Sequence, residues 1–282
     1  MEYKFPDKYK DYWQTAVSQI DRNFISIRGY PLEEISGRVS YVDAIILCLR
    51  GELPGECEST CINAIFTSAM DHQFLNTTAL AARTVVSANP DPVIGIATGV
   101  LSFGKVTAGV PAYVVELIES ALTEADDPAD FEKIAHSVVN IHRAAGLRIP
   151  GFGHPLHDMV GSHYTFRSQL LRDRVEEAGL PVNNKVALYE MIHSTFLRTV
   201  SKDIPINVDG VMGAVFAELG YTPLQAQALA PFTMLPGIVA HVVEEIAEGR
   251  PLRIVPDSQY VGLPVRHRAD LQSSKGREQT DG

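Results

Sequence analysis

Three short strings in the sequence set reactive side chains beside residues that free the backbone. In Pro150-Gly-Phe-Gly-His154, glycines flank an aromatic and let the main chain come close to a ligand, with the histidine where the loop is pinned. A histidine so placed either polarises a substrate or hydrogen-bonds its own loop. In Asn207-Val-Asp-Gly210, the carboxylate of Asp209 stands at the head of an apolar run, Val211, Met212, Val215 and Leu219. It can cap that helix, accepting backbone N–H bonds at the positive end, or it can serve as a general base. The third string is Asp71-His72, followed by Asn76 and Arg83. Taken alone, a histidine on a helix surface reads as structural or solvated.

The elements that must position these strings are helical almost throughout. Ala44, Ile45, Leu47 and Cys48 make one apolar face, and Cys61, Ile62, Ile65 and Phe66 make the next, with Leu53-Pro54-Gly55 between them. The alanine-rich stretch 77–88 can follow a cap at Asn76 or Thr77, and Asn89-Pro90-Asp91-Pro92 stops it, Pro92 opening a further helix. Further helices are expected over 110–125, 131–145, 164–178, 185–200, 211–219 and 236–248. A small hairpin is expected from Phe24–Arg28 and Arg38–Ser40, turned by Gly29-Tyr30-Pro31. No βαβ alternation and no internal repeat is seen, which excludes a doubly wound reading. Two irregular segments, 147–157 and 201–210, interrupt the helices and carry two of the three reactive strings, as binding loops do.

The chain has 282 residues and a formal net charge of −10, so no general basic field invites nucleic acid or anionic lipid. Its three cysteines, Cys48, Cys57 and Cys61, lack the partners of a zinc site and read as buried reduced thiols. The opening residues alternate charges with aromatics instead of forming the apolar core of a signal peptide. The longest apolar stretch, Val93 to Phe103, is about half of a membrane span. These features lead to the expectation of a cytoplasmic protein with no membrane partner. The polar tail after Leu263 is expected to be disordered.

The strings gain meaning from their order. GELPG at 51–55, Asp-His, Asn and Ala-Ala-Arg between 71 and 83, PGFGHPLH at 150–157, NVDG at 207–210, and GIVAHVVEE with a Gly-Arg-Pro at 249–251 follow one another. From about residue 25 to 262 this order resembles the citrate synthase family, and the spellings GFGHPLH and AHVVEE resemble its short citryl-CoA lyase branch. The resemblance implies an all-α, citrate synthase-like fold. A large helical domain (1–108 and 216–263) would carry a smaller one (109–215) that closes over the substrates, with 264–282 as a tail, in a homodimer. It also implies a bond made or broken between an acyl-CoA and a small keto compound, with no permanent cofactor beyond the coenzyme A thioester itself. By position, Asp209 matches the base that takes the α-proton, and His154 the histidine that polarises the keto carbonyl. His72 matches a ligand of the substrate acid, and Arg250 a late arginine that often crosses to the partner subunit. The backbone of Ile149, Pro150, Gly151, Phe152 and Gly153 lies where the family seats part of coenzyme A.

Three positions depart from the family pattern. Thr107, in Gly104-Lys-Val-Thr-Ala-Gly109, stands in place of the enolate histidine; His163 and Met234 stand in place of two acid-binding arginines. Lys105 and Arg167 are the nearest residues that could compensate. A threonine donates one neutral hydrogen bond and carries no proton at neutral pH, and losing a buried charge partner costs about 2–5 kcal/mol. The expected acceptor is therefore less charged than oxaloacetate, with His163 and Met234 on its side of the pocket and Thr107 as the enolate donor. Two alternatives stand beside this reading: an acyl-CoA hydrolase or hydratase on the same fold, and an inactive coenzyme A-binding regulator or partner subunit.

Overall fold

A computed structural model describes residues 12–75, 77–105, 107–253, 259–265 and 267. A small antiparallel sheet comes first, with β1 (Ser18–Asp21) and β3 (Tyr30–Pro31) on either side of β2 (Phe24–Ile27). Residues 38–40 are not its second arm, as the hairpin expectation had them. The Val39 amide bonds back to the Ile35 carbonyl, and the Ser40 hydroxyl accepts from the Asp43 amide to cap the next helix.

The rest is helical: α1 (Leu32–Ile35), α2 (Tyr41–Arg50), α3 (Glu56–Ser68), α4 (Thr77–Ala88), α5 (Pro92–Leu101), α6 (Val110–Glu124) and α7 (Phe131–Ala144). There follow α8 (Phe166–Glu177), α9 (Lys185–Val200), α10 (Val208–Glu218) and α11 (Pro223–Glu248). The all-α expectation holds, and several boundaries follow from the expected local chemistry. Asp91 caps α5 through the amides of Val93 and Ile94, with Pro92 in the first turn. The Asn76 half of the expected α4 cap lies outside the described residues, as does most of the polar tail.

α11 departs most from the sequence expectation. It starts at Pro223 behind a capping box of Thr222 and Gln225, and it runs through Pro231 and Pro236. A proline inside a helix removes one backbone hydrogen bond, which is why the sequence pattern points to a start at 236. Among the described residues α11 alone is long and apolar enough to cross a membrane. It is instead accounted for as a core helix, packed against α3, α4, α5 and α6 and carrying a buried carboxylate, Glu245.

The buried apolar residues form two clusters. The larger is built from α2, α3, α6–α10 and the start of α11; the smaller joins α4, Ala108 and the later part of α11 through Val86, Met234, Ile238 and Val242. The three cysteines are free thiols, and only Cys61 is buried; Cys48 is exposed, because it lies on the outer face of α2.

Candidate functional site

The helix that carries Asp209 is capped by a different residue. Asn207 stands at the N-cap of α10, its Oδ1 accepting from the Gly210 amide at 3.1 Å. Asp209 is therefore left in the first turn with no hydrogen bond of its own among the described residues, and the cap alternative falls to Asn207. Part of Asp209 opens on a cleft, yet its carboxyl is hemmed in by protein. Loss of hydration pushes its pKa up to about 6. A carboxylate poised there can take and return a proton near neutral pH.

Asn207 also places the second string. Its Nδ2 donates to the Gly153 carbonyl at 2.8 Å, and its backbone amide donates to the Gly151 carbonyl at 2.9 Å. The Gly153 amide donates to the Pro205 carbonyl at 2.7 Å, and the Tyr189 hydroxyl to the Pro150 carbonyl at 2.6 Å. The loop and helix touch through bare backbone: a Cβ on Gly151 would lie 2.5 Å from the Gly210 Cα and inside the Tyr189 hydroxyl, and φ there is +80°. Only glycine at both positions lets the 150–154 loop come this close to Asp209. Asn207→Ala should cost about 2–3 kcal/mol, from one lost cap and one buried carbonyl left unpaired. Thermal unfolding checks the size, and turnover should fall with it because both reactive residues lose their strut.

At the end of this loop, His154 is held in one tautomer. Its Nδ1 accepts from the amides of Leu156 at 3.1 Å and His157 at 2.9 Å. Two N–H donors require a bare nitrogen, so in the neutral ring the proton sits on Nε2. Burial, then the neighbouring His157 and Arg167, lowers its pKa and keeps the ring neutral. His154 is thus a fixed hydrogen-bond donor.

The third string arrives through α11. Gly237 leaves no room for a side chain against the Met70 carbonyl and Asp71, while His241 Nε2 donates to Asp71 Oδ1 at 3.0 Å. His241 in turn meets Arg83, which pairs with the buried Glu245 at 2.6 Å. The turn so braced presents His72, whose buried Nδ1 has no partner among the described residues. Burial, then the charge of Arg167, drops its pKa to about 4, so it too is neutral.

These residues share one cleft of about 290 Å³, lined by Asp209, His154, Thr107, His72 and Met234 of the expected set. Thr107 is delivered by a tight turn in which its amide and carbonyl both bond Gly104. Met234 comes from the smaller core cluster and Val208 from the larger, so the cleft lies along their seam. Arg167, His157 and Asn207 also line it. Of the two possible compensating cations, Lys105 lies over the Tyr113 ring at 5.6 Å and is not part of the lining.

Other expected residues fall elsewhere. His163 does not line the cleft: its Nδ1 meets His193 Nδ1 at 2.9 Å, and His193 Nε2 donates to the Ile204 carbonyl at 2.7 Å. That chain of bonds makes His163 part of the wall between the 150–154 and 201–207 segments. Arg250 sits on the exposed stretch beyond α11, away from the cleft within this chain. Ile149 is buried, and Phe152 packs against Tyr189, His193 and Phe196. The carbonyls of Pro150, Gly151 and Gly153 are taken up internally as described, so Ile149–Gly153 acts here as a strut behind the cleft. Sequence reasoning passed over Asn207 as a site residue, although an Asn two places before a reactive Asp is itself a capping signal.

Comparison with known proteins agrees with this fold. A family model described as citrate synthase, C-terminal domain, matches residues 56–255. Citrate synthase 1 of Mycobacterium tuberculosis is 24% identical over 212 residues, 73% of this chain and 47% of that protein. The chain thus spans about half the length of that curated relative. The solved citryl-CoA lyase from Hydrogenobacter thermophilus superposes with a TM-score of 0.81 at 28% identity, covering 92% of this chain and 99% of that one. An ATP citrate lyase from Methanothrix soehngenii, solved with citrate and coenzyme A, shares the fold at a TM-score of 0.78 and 17% identity, over 93% of this chain and 43% of that one.

Proposed function

The chain belongs to the citrate synthase family, and from that premise we propose that its cleft makes or breaks the bond between the α-carbon of an acyl-CoA and the carbonyl carbon of a small keto acid. What supports this most is the pairing of Asp209, a poorly hydrated carboxylate whose pKa is pushed up to about 6, with His154, fixed as an Nε2–H donor in the same cleft.

In the condensing direction the Asp209 carboxylate removes the α-proton of the thioester. The Thr107 hydroxyl donates to the enolate oxygen as charge develops, a weaker support than a histidine gives. The enolate carbon then attacks the keto carbonyl, and His154 Nε2–H stabilises the growing alkoxide. His154 gives a hydrogen bond and keeps its proton, since losing it would leave an imidazolate. The alkoxide takes its proton from water, and Asp209 returns its own to solvent. Cleavage runs the same steps backwards, with protonated Asp209 delivering the proton to the enolate carbon. The coenzyme A thioester is a substrate and no resident cofactor is needed. The exposed apolar residues of α5, Val93 and Leu101, offer a surface for a second copy, and the working unit proposed is a homodimer.

The test is a product assay. The protein with acetyl-CoA or propionyl-CoA and a set of 2-oxo acids should yield a condensed product carrying the carbons of both, identified by mass, and none with Asp209→Asn. Release of coenzyme A without any such product would point to thioester hydrolysis instead.

A further inference from the structure

The aldol oxygen must gain or lose a proton, and the cleft holds a proton carrier that no step has used. His154 keeps its one proton, because two backbone amides occupy its Nδ1. Asp209 is committed to the α-proton of the thioester. His72 is held neutral by burial and then by the charge of Arg167, and an arginine does not give up its proton in proteins. The Thr107 and Thr165 hydroxyls have no proton to spare near neutral pH. Among the described lining residues that leaves His157, and histidine is the side chain that ordinarily gains and loses a proton in this range.

Its place is set by the loop that fixes His154. The His157 amide is one of the two donors to His154 Nδ1, at 2.9 Å, so the chain turns back and lays the two rings face to face. Their centroids are 4.3 Å apart and their planes 29° from parallel. With Nδ1 taken, His154 offers only Nε2 at the free edge of that stack. An oxygen bound there lies beside the His157 ring as well, in reach of its nitrogens directly or through one water. His157 is also exposed, so it can trade protons with solvent while it lines the cleft.

We propose that His157 is the proton relay of this cleft, carrying between solvent and the aldol oxygen the proton that His154 cannot give. The inference rests on reading the cleft as a site of carbon–carbon bond chemistry. In condensation the enolate's electron pair forms the new bond, and the pair of the keto double bond moves to oxygen. That alkoxide takes a proton from the His157 imidazolium, which is left neutral until solvent protonates it again. In cleavage neutral His157 removes the hydroxyl proton as the carbon–carbon bond breaks, and the carbonyl re-forms against His154 Nε2–H. One ring holds the oxygen and the other moves its proton.

The full chain, with acetyl-CoA or propionyl-CoA and the 2-oxo acid that gives most condensed product, tests this in D₂O. Product formation and deuterium entry at the thioester's α-carbon are followed together by mass spectrometry. His157→Gln and His157→Phe should each lower product formation by about 10²-fold or more, with α-carbon exchange within about twofold of wild type. Phenylalanine keeps a stacked ring and loses only the proton, so it separates a relay from a packing role. Imidazole added to His157→Ala should restore part of the lost product rate. Product formed by His157→Phe at the wild-type rate would overturn the relay. Exchange lost in step with product would overturn it too, because the ring would then be bracing the whole site. No condensed product from the wild type would reject the reaction and the relay with it, and that result is read before any variant is made.

Discussion

Asp209→Asn should lower turnover by about 10³-fold and, at neutral pH, make the protein more stable. The loss of rate follows from removing the only carboxylate among the described residues of the cleft. The gain in stability follows from its pKa, pushed up to about 6 by burial. An acid whose pKa is raised by folding holds its proton more tightly in the folded state. Its contribution favours folding fully below the unfolded value near about 4 and is lost as pH rises through about 6. Ionised Asp209 at pH 7 therefore destabilises the fold by on the order of 1–3 kcal/mol, allowing for its partial contact with solvent. Asparagine does not ionise, so its advantage should appear between pH 4 and 7 and amount to roughly 5 °C in melting temperature. Melting curves across that range check the sign: a variant less stable than wild type at pH 7 would mean that Asp209 is structural. The same ionisation sets the rate profile. Condensation needs the carboxylate, so its kcat/KM should rise with pH through about 6, while cleavage needs the acid and should fall through it.

Gly151→Ala should be the most damaging of the small substitutions. The new methyl would lie 2.5 Å from the Gly210 Cα and inside the Tyr189 hydroxyl, at a residue with φ of +80°. Backbone strain of about 1–2 kcal/mol adds to overpacking of about 1–3 kcal/mol. Relief can come only by moving the 150–154 loop away from α10, which separates His154 from Asp209, so activity should be lost even where the chain still folds. Gly146→Ala is the control: φ is +65° there, but nothing lies within 4 Å of the added carbon. It should cost only the strain and leave turnover near wild type. Adding Tyr189→Phe to Gly151→Ala removes one obstacle but leaves the Gly210 backbone in place, so rescue should be incomplete. Full activity in Gly151→Ala would show that the close approach does not position the site.

Much of this architecture is legible in the chain. The spans 77–88 and 185–200 coincide with α4 and α9, because their apolar spacing and stop signals are local. The placing of Asp209 and His154 in one cleft is also readable, since glycines beside an ionisable residue mark backbone that must approach something closely. What the sequence hides is longer in range. The partner of His163 is His193, thirty positions on, and that contact turns a position expected in the pocket into part of its wall. Arg167 reaches the cleft because α8 starts at Phe166 behind the Thr165 cap, a boundary that patterning alone places loosely. The early start of α11 escapes notice because its two prolines read as breaks, although packing on four other helices outweighs their cost. The glycines of Ile149–Gly153 mark it as a binding stretch, but the ties of its carbonyls to Asn207 and its close approach to α10 are long-range and not legible in the sequence.

The most direct measurement of the central claim is hydrogen exchange at the substrate's α-carbon. The protein is incubated in D₂O with acetyl-CoA, propionyl-CoA and longer thioesters, each with and without pyruvate or 2-oxobutyrate, and deuterium in the acyl group is followed by mass spectrometry. Deuterium should enter the α-carbon at a rate that rises with pH through about 6 and is lost in Asp209→Asn. Exchange that persists undiminished in Asp209→Asn, or none with any thioester and acceptor despite measured coenzyme A binding, would contradict the assignment of Asp209 as the base of a carbon–carbon bond reaction.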